Sequence, residues 1–220
     1  LINIKRRVLM KRIKLLVLAI CASLVTSVAM AETKMGISAA MTTLSTSGSE
    51  TLRQSGNVTN KSIDEDVVVP SLFIEAVLDN GYSVGVDYVP VAELGSGTGS
   101  DDDAETSGAN KASAELDSHF TLYVSKELGA VDGLYIKGGL SFADVLTTET
   151  LATGDSYANT TTYGLMIGLG VERDIPGGLF ARAEASYTDY DDVSITSTGG
   201  SKVEADIDAT MFKLSVGKSF

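Results

Sequence analysis

The chain has almost no cysteine, a single histidine and no tryptophan. Its one cysteine, Cys21, lies in an N-terminal apolar run, so residues 32–220 have neither a disulfide framework nor a thiolate metal site. His119 is the only histidine, and zinc-type ligand spacing is absent. Beyond the N-terminus no apolar stretch reaches the roughly 20 residues that a membrane-spanning helix needs. Any membrane insertion must therefore use a closed barrel, because only helices and closed barrels satisfy every backbone polar group in lipid. Basic residues are also scarce, and most of the few lie at the start of the chain.

Lys5, Arg6, Arg7, Lys11, Arg12 and Lys14 precede the apolar run Leu15 to Val28, which ends in Ala29-Met30-Ala31. A basic region, a short apolar core and a small-x-small site in that order read as a secretory signal peptide over residues 1–31, cleaved after Ala31. Ile20 is not the small residue that a lipoprotein signal places before its cysteine. The leader holds six of the 17 basic residues and none of the 29 acidic ones, which leaves 11 against 29 and a formal charge of −18 for residues 32–220. So acidic a surface repels phosphate backbones and excludes nucleic acid as a partner. The remaining length suits one domain.

A two-residue period runs through residues 32–220. It is clearest over 163–172, where Tyr163, Leu165, Ile167, Leu169 and Val171 share one face and Gly164, Met166, Gly168, Gly170 and Glu172 share the other. The same alternation predicts strands through Met35 to Met41, Leu72 to Leu78, Tyr82 to Tyr88, Ala114 to Val124, Leu134 to Phe142, Ala181 to Tyr187 and Phe212 to Phe220. Short connections at Asp79-Asn80-Gly81, Leu128 to Gly133 and Asp174 to Gly178 alternate with long polar ones at roughly 46–66, 95–112, 149–160 and 191–204. Asn-Gly is a tight-hairpin signal. An even number of antiparallel strands with alternating short turns and long loops predicts an all-β fold, an eight-stranded up-and-down transmembrane β-barrel. A soluble eight-stranded barrel would need a greasy interior, whereas here the polar faces carry Gly, Ser, Thr and charges of both signs. The aromatics Tyr82, Tyr88, Phe142, Tyr163, Tyr187, Phe212 and Phe220 are expected to form an interfacial belt of Tyr and Phe alone.

The segment 212–220, with Phe212, Leu214, Val216 and a final Phe220 at alternate positions, resembles the C-terminal strand of bacterial outer-membrane proteins. That resemblance implies recognition by the barrel-assembly machinery. Lys218 departs from the pattern, where an apolar or aromatic residue is usual, though a lysine can snorkel to the interface. In strand pattern, residues 32–220 resemble the small outer-membrane barrels of the opacity, OmpX and OmpA-transmembrane type. The resemblance implies an outer-membrane location in a Gram-negative bacterium, both termini periplasmic, contact with membrane lipid and lipopolysaccharide, no cofactor, and no further domain after the barrel. It names no activity or external ligand.

Three groups of residues could carry chemistry. Glu75, Asp87, Glu115, Asp117, His119, Lys137, Glu172, Arg182, Glu184 and Lys213 fall on predicted polar faces and are expected in the lumen, which in an eight-stranded barrel is only wide enough for side chains to fill. They read as a charge plug or, alternatively, as a narrow porin-like ion pathway. Small barrels that deacylate lipid A place Ser and His two residues apart on one strand, but Asp117 and Thr121 stand two residues either side of His119; a lipid-modifying enzyme is therefore not expected. The acidic loops, Asp101, Asp102 and Asp103 foremost, lack the spaced ligands and glycine of an EF-hand, and are candidates for divalent bridging to lipopolysaccharide. The expected role is structural or surface-interacting, through four long acidic loops.

Overall fold

A computed structural model describes residues 32–53, 55–78, 81–101 and 108–220. Residues 1–31, expected as a leader, Asp79-Asn80 of the first expected turn, and Asp102 and Asp103 lie outside the described residues. Nine strand segments follow one another: β1 (Thr33–Thr51), β2 (Val58–Val77), β3 (Tyr82–Val89), β4 (Ala92–Asp101), β5 (Gly108–Glu127), β6 (Leu134–Thr150), β7 (Thr160–Ile175), β8 (Leu179–Thr196) and β9 (Lys202–Ser219). All pairings are antiparallel, and β3–β5 together with β1–β9 close the sheet into a ring. At the closure Thr33 and Phe220 exchange both backbone hydrogen bonds, at 3.2 and 2.9 Å.

Eight staves were expected, and β3 and β4 together make the third. They are separated at Pro90-Val91, where proline has no N–H to donate to a ladder. Below the break β3 pairs with both β2 and β5; above it β4 pairs with β5, and no ladder joins it to β2 among the described residues. The barrel wall therefore has a seam between β2 and β4, beginning above the Leu72–Tyr88 pair.

The outward face is apolar in a continuous band. Ile37, Val68, Leu72, Leu140, Leu165, Ile167, Leu214 and Val216 are all exposed, Ile167 at 69% and Val68 at 71%. Monomeric soluble proteins rarely expose contiguous apolar surface on this scale; lipid is the solvent that suits it. Tyr88, Phe120, Phe142 and Tyr163 are direct cross-strand neighbours and form one aromatic row on the loop side of the band, with Tyr88 stacked on Phe120 at 4.8 Å and Phe142 edge-on to Tyr163 at 5.5 Å.

Two expectations are corrected. The segments 46–66, 95–112 and 191–204, expected as loops, are largely continued strand: β1 runs on to Thr51 and β2 begins at Val58, while β8 ends at Thr196 and β9 begins at Lys202. Strands of 16 to 20 residues exceed the ~9–11 that cross a bilayer. Above the membrane both faces are wet, so the ladder persists without the apolar alternation that marks a strand. The second correction is Glu115, which is exposed rather than lumenal. The β5–β6 register shifts between Leu116 and Ser118, a bulge at Asp117 that reverses which alternate residues face inward. Leu116 points in and Glu115 out; Asp117, at the bulge itself, is half-buried.

Candidate functional site

Strand alternation aims Glu75 of β2, Asp87 of β3, His119 of β5, Lys137 of β6, Glu172 of β7, Arg182 and Glu184 of β8 and Lys213 of β9 into the barrel. All are buried or nearly so, with Glu75 only 2% exposed. Near the turn rim Arg182 donates to both oxygens of Glu75 and, through Nε at 2.5 Å, to Glu172. Glu172 also accepts from Lys34 at 2.6 Å. One layer up, Lys137 meets Glu184 at 3.1 Å and Lys213 meets Asp87 at 2.8 Å. The described lumenal network thus holds four carboxylates against four cations and is electrically balanced, the condition under which buried charge is tolerable.

Aromatic side chains join the two layers. Tyr123 donates to Glu75 at 2.9 Å and Tyr135 to Glu184 at 3.0 Å. The Lys137 ammonium lies 3.8 Å from the Tyr123 ring centroid, and the Arg182 guanidinium lies 4.9 and 5.1 Å from those of Phe180 and Phe73. Space for these rings comes from inward-facing glycines. A Cβ on Gly170 would strike the Tyr135 ring, one on Gly85 the Tyr123 ring, and one on Gly217 the Phe180 ring. Because β7 presents Gly168 and Gly170 inward, Tyr135 and Lys137 of β6 can pass over it to reach Glu184 of β8.

Hydroxyls fill in around the ion pairs: on β9 Ser215, two residues nearer the turn rim than Lys213, meets Ser38 at 2.8 Å. Toward the loop side Thr121 meets Ser141 at 2.9 Å, and His119 Nε2 meets the Tyr190 hydroxyl at 3.0 Å. His119 Nδ1 is buried with no hydrogen-bond partner among the described residues. Higher still, Val69, Val89, Leu116 and Ala143 form an apolar cluster, flanked by Val67, Ala92 and Leu94 beside the seam. Two cavities lie within the described lumen: about 210 Å³ in a vestibule at the turn rim, lined by Lys34, Glu75, Glu172 and Arg182 among others, and about 20 Å³ around Asp87, His119 and Lys213.

Three of the loop-side segments are bonded to one another. The connection 151–159 reaches over to the tips of the β1–β2 and β8–β9 hairpins: Tyr157 donates to Glu50 at 2.9 Å, Ser156 and Thr198 exchange hydrogen bonds of 3.0 and 3.1 Å, and Arg53 donates to the Gly199 carbonyl at 2.5 Å. Burial, and then the hydrogen bond to Glu50, raise the Tyr157 phenol above its usual range, so it remains a donor. Asp101 is the last residue of β4.

Lys34, Tyr123, Tyr135, Tyr190, Phe73 and Phe180 take part in the lumenal packing without having been singled out in the sequence. The available signal was parity: Tyr135 shares its face with Lys137, and Tyr123 with Thr121. The terminal residues Phe212, Leu214, Val216 and Phe220 all face outward and are more than half exposed.

The profile of the outer membrane protein beta-barrel domain family matches residues 15–220. Among solved structures, the outer membrane protein OprG of Pseudomonas aeruginosa superposes with a TM-score of 0.61 at 15% identity, over 87% of this chain and 96% of that one. The outer membrane protein AlkL, determined in lipid bilayers, gives a TM-score of 0.52 at 11% identity, over 87% and 90%. No curated protein sequence matches the chain. At these identities the structural likeness establishes the fold, and the family match over nearly the whole chain carries the assignment: this chain belongs to the outer membrane protein β-barrel domain family and resides in the outer membrane of a Gram-negative bacterium.

Proposed function

We propose that the protein is an axially closed barrel that serves as a membrane-fixed base for a rigid, acidic surface cap, with a structural or surface-interaction role. The observation that carries this reading is the balanced ion-pair network, packed so that about 20 Å³ remains at mid-lumen, room for about one water molecule. The interlocked hairpin tips add a second closure. Residues 1–31 act as the export signal, the turn rim with both barrel ends faces the periplasm, and the hairpins face outward, where their carboxylates can share divalent cations with lipopolysaccharide phosphates. The lumenal residues Glu75, Asp87, Lys137, Glu172, Arg182, Glu184 and Lys213 hold the barrel shut, and Phe212, Leu214, Val216 and Phe220 present the assembly signal. Purified protein in planar bilayers is expected to give no discrete conductance steps in molar potassium chloride, while cysteines introduced at Ser55 and Thr198 label on intact cells. Steady channel openings would overturn the closed-barrel reading.

The seam supports a second reading, lateral entry of small apolar molecules. Val68, Pro70 and Val91 are exposed at its outer side, and Val67, Val69, Ala92 and Leu94 continue the apolar surface inward to Leu116. N-phenyl-1-naphthylamine is expected to brighten on binding the folded protein in detergent, and Val69→Asp to abolish the response. An equal response from Val69→Asp would remove this reading.

A further inference from the structure

The outer wall carries a depression that the packing of the barrel does not require. It spans β5 to β8, has a volume of about 760 Å³, and is walled by Val124, Ile136, Ile167, Leu169 and Tyr187. Cross-strand register puts Val124, Gly138, Ile167 and Tyr187 in one row and Lys126, Ile136, Leu169 and Ala185 in the next row toward the turn rim. The hollow exists because Gly138 and Ala185 are small where their neighbours are large.

Gly138 differs from the other glycines of this wall. A Cβ on Gly139, Gly164 or Gly170 would collide with a neighbouring side chain or carbonyl, whereas at Gly138 the nearest atom is the Met166 carbonyl oxygen at 3.8 Å. Its φ is not positive, and the β6 ladder runs without a shift from Asp144 to Tyr135. Neither turn, bulge nor internal packing calls for glycine here. A strand-interior glycine without those reasons marks a place where a ligand approaches the backbone. Strands stand about 4.7–4.9 Å apart, so a missing side chain opens a slot about as wide as one hydrocarbon chain.

The slot lies in the lipid-facing band and ends in a cation. Lys126 stands at its turn-rim end, near the last residue of β5, with Nζ 4.4 Å from the centroid of the Tyr82 ring. An apolar slot ending in an interfacial lysine complements one acyl chain and the phosphodiester above it.

We propose that this depression is a glycerophospholipid site, with one acyl chain over Gly138 between Val124, Ile136 and Ile167, and the phosphate on Lys126. The site rests on the proposed periplasmic orientation of the turn rim, which puts Lys126 in the leaflet built of glycerophospholipid; cell-surface labelling of Ser55 and Thr198 tests that orientation separately. Native mass spectrometry of the folded protein with palmitoyl-oleoyl-phosphatidylglycerol is the test. Wild type is expected to retain one lipid after bulk lipid is stripped, Gly138→Leu to lose at least about five-fold in occupancy, and Lys126→Gln to lose more than Lys126→Arg. Val124→Trp, which fills the slot from β5, is expected to act like Gly138→Leu, and mobility shift on boiling in SDS verifies that each variant is folded. Equal retention by wild type and both filled variants overturns the site. So does retention of hexa-acylated lipid A in place of phosphatidylglycerol, or a wild-type dimer that Gly138→Leu converts to monomer, which would make a second copy the occupant.

Discussion

Replacing Arg182 with Ala is expected to cost the folded barrel about 3–5 kcal/mol, the usual penalty when one partner of a buried ionic cluster is removed. Among the described residues Arg182 is the one cation bridging Glu75 and Glu172, and its guanidinium also lies over the rings of Phe73 and Phe180. Without it the two carboxylates are not equally stranded. Glu172 keeps Lys34, whereas among the described residues Glu75 keeps only the Tyr123 hydroxyl. Glu75→Gln added to Arg182→Ala is therefore expected to recover more stability than Glu172→Gln added to it. Reversible urea unfolding in lipid vesicles measures both. An Arg182→Ala midpoint equal to wild type, or a larger rescue from Glu172→Gln, would contradict the network as described.

A charge on the lipid face should be comparably damaging for a different reason. Ile37 of β1 lies between Leu72 of β2 and Val216 of β9, all three exposed on the apolar band. Ile37→Arg places a cation against hydrocarbon, at a cost of about 2–4 kcal/mol near the midplane that falls to about 0–1 toward the interfaces. Ser47 lies on the same outward parity of β1 but ten residues toward the hairpin tip, where it is exposed. Ser47→Arg is expected to be nearly silent in the same vesicle assay. Similar losses at both positions would place the membrane boundary incorrectly.

The strands were legible because each has two unlike faces. Over 163–172 one face is Tyr163, Leu165, Ile167, Leu169 and Val171, and lipid outside with packed polar groups inside preserves that contrast residue by residue. The hairpin extensions were not legible for the converse reason. Around Ser45 to Thr51 and its partners Val58 to Asp64, water lies on both faces and no hydrophobic period marks the ladder. Glu115 was misplaced because alternation assumes an unbroken register, and the bulge at Asp117 inserts one residue that the composition of β5 does not announce. The split at Pro90 could be anticipated as a missing donor, but the seam it opens also depends on β2 and β4 finding no ladder above it.

The lumenal charges show the same division. Parity alone aimed Glu75, Asp87, Lys137, Glu184 and Lys213 inward, and the glycines of β7 could be seen on the matching face. Which cation meets which carboxylate could not be read, because the decisive contacts cross the barrel. Lys213 and Asp87 are 126 residues apart, and Arg182 and Glu75 are 107 apart. By itself the sequence determined a barrel with a lipid-facing wall and a charged interior, because a two-residue period is a local property that survives any closure. Only the tertiary structure decided which of the described charges pair across the lumen, that the connection 151–159 bonds to two hairpin tips, and that the wall is open over Gly138, because strand register and closure set every one of those distances.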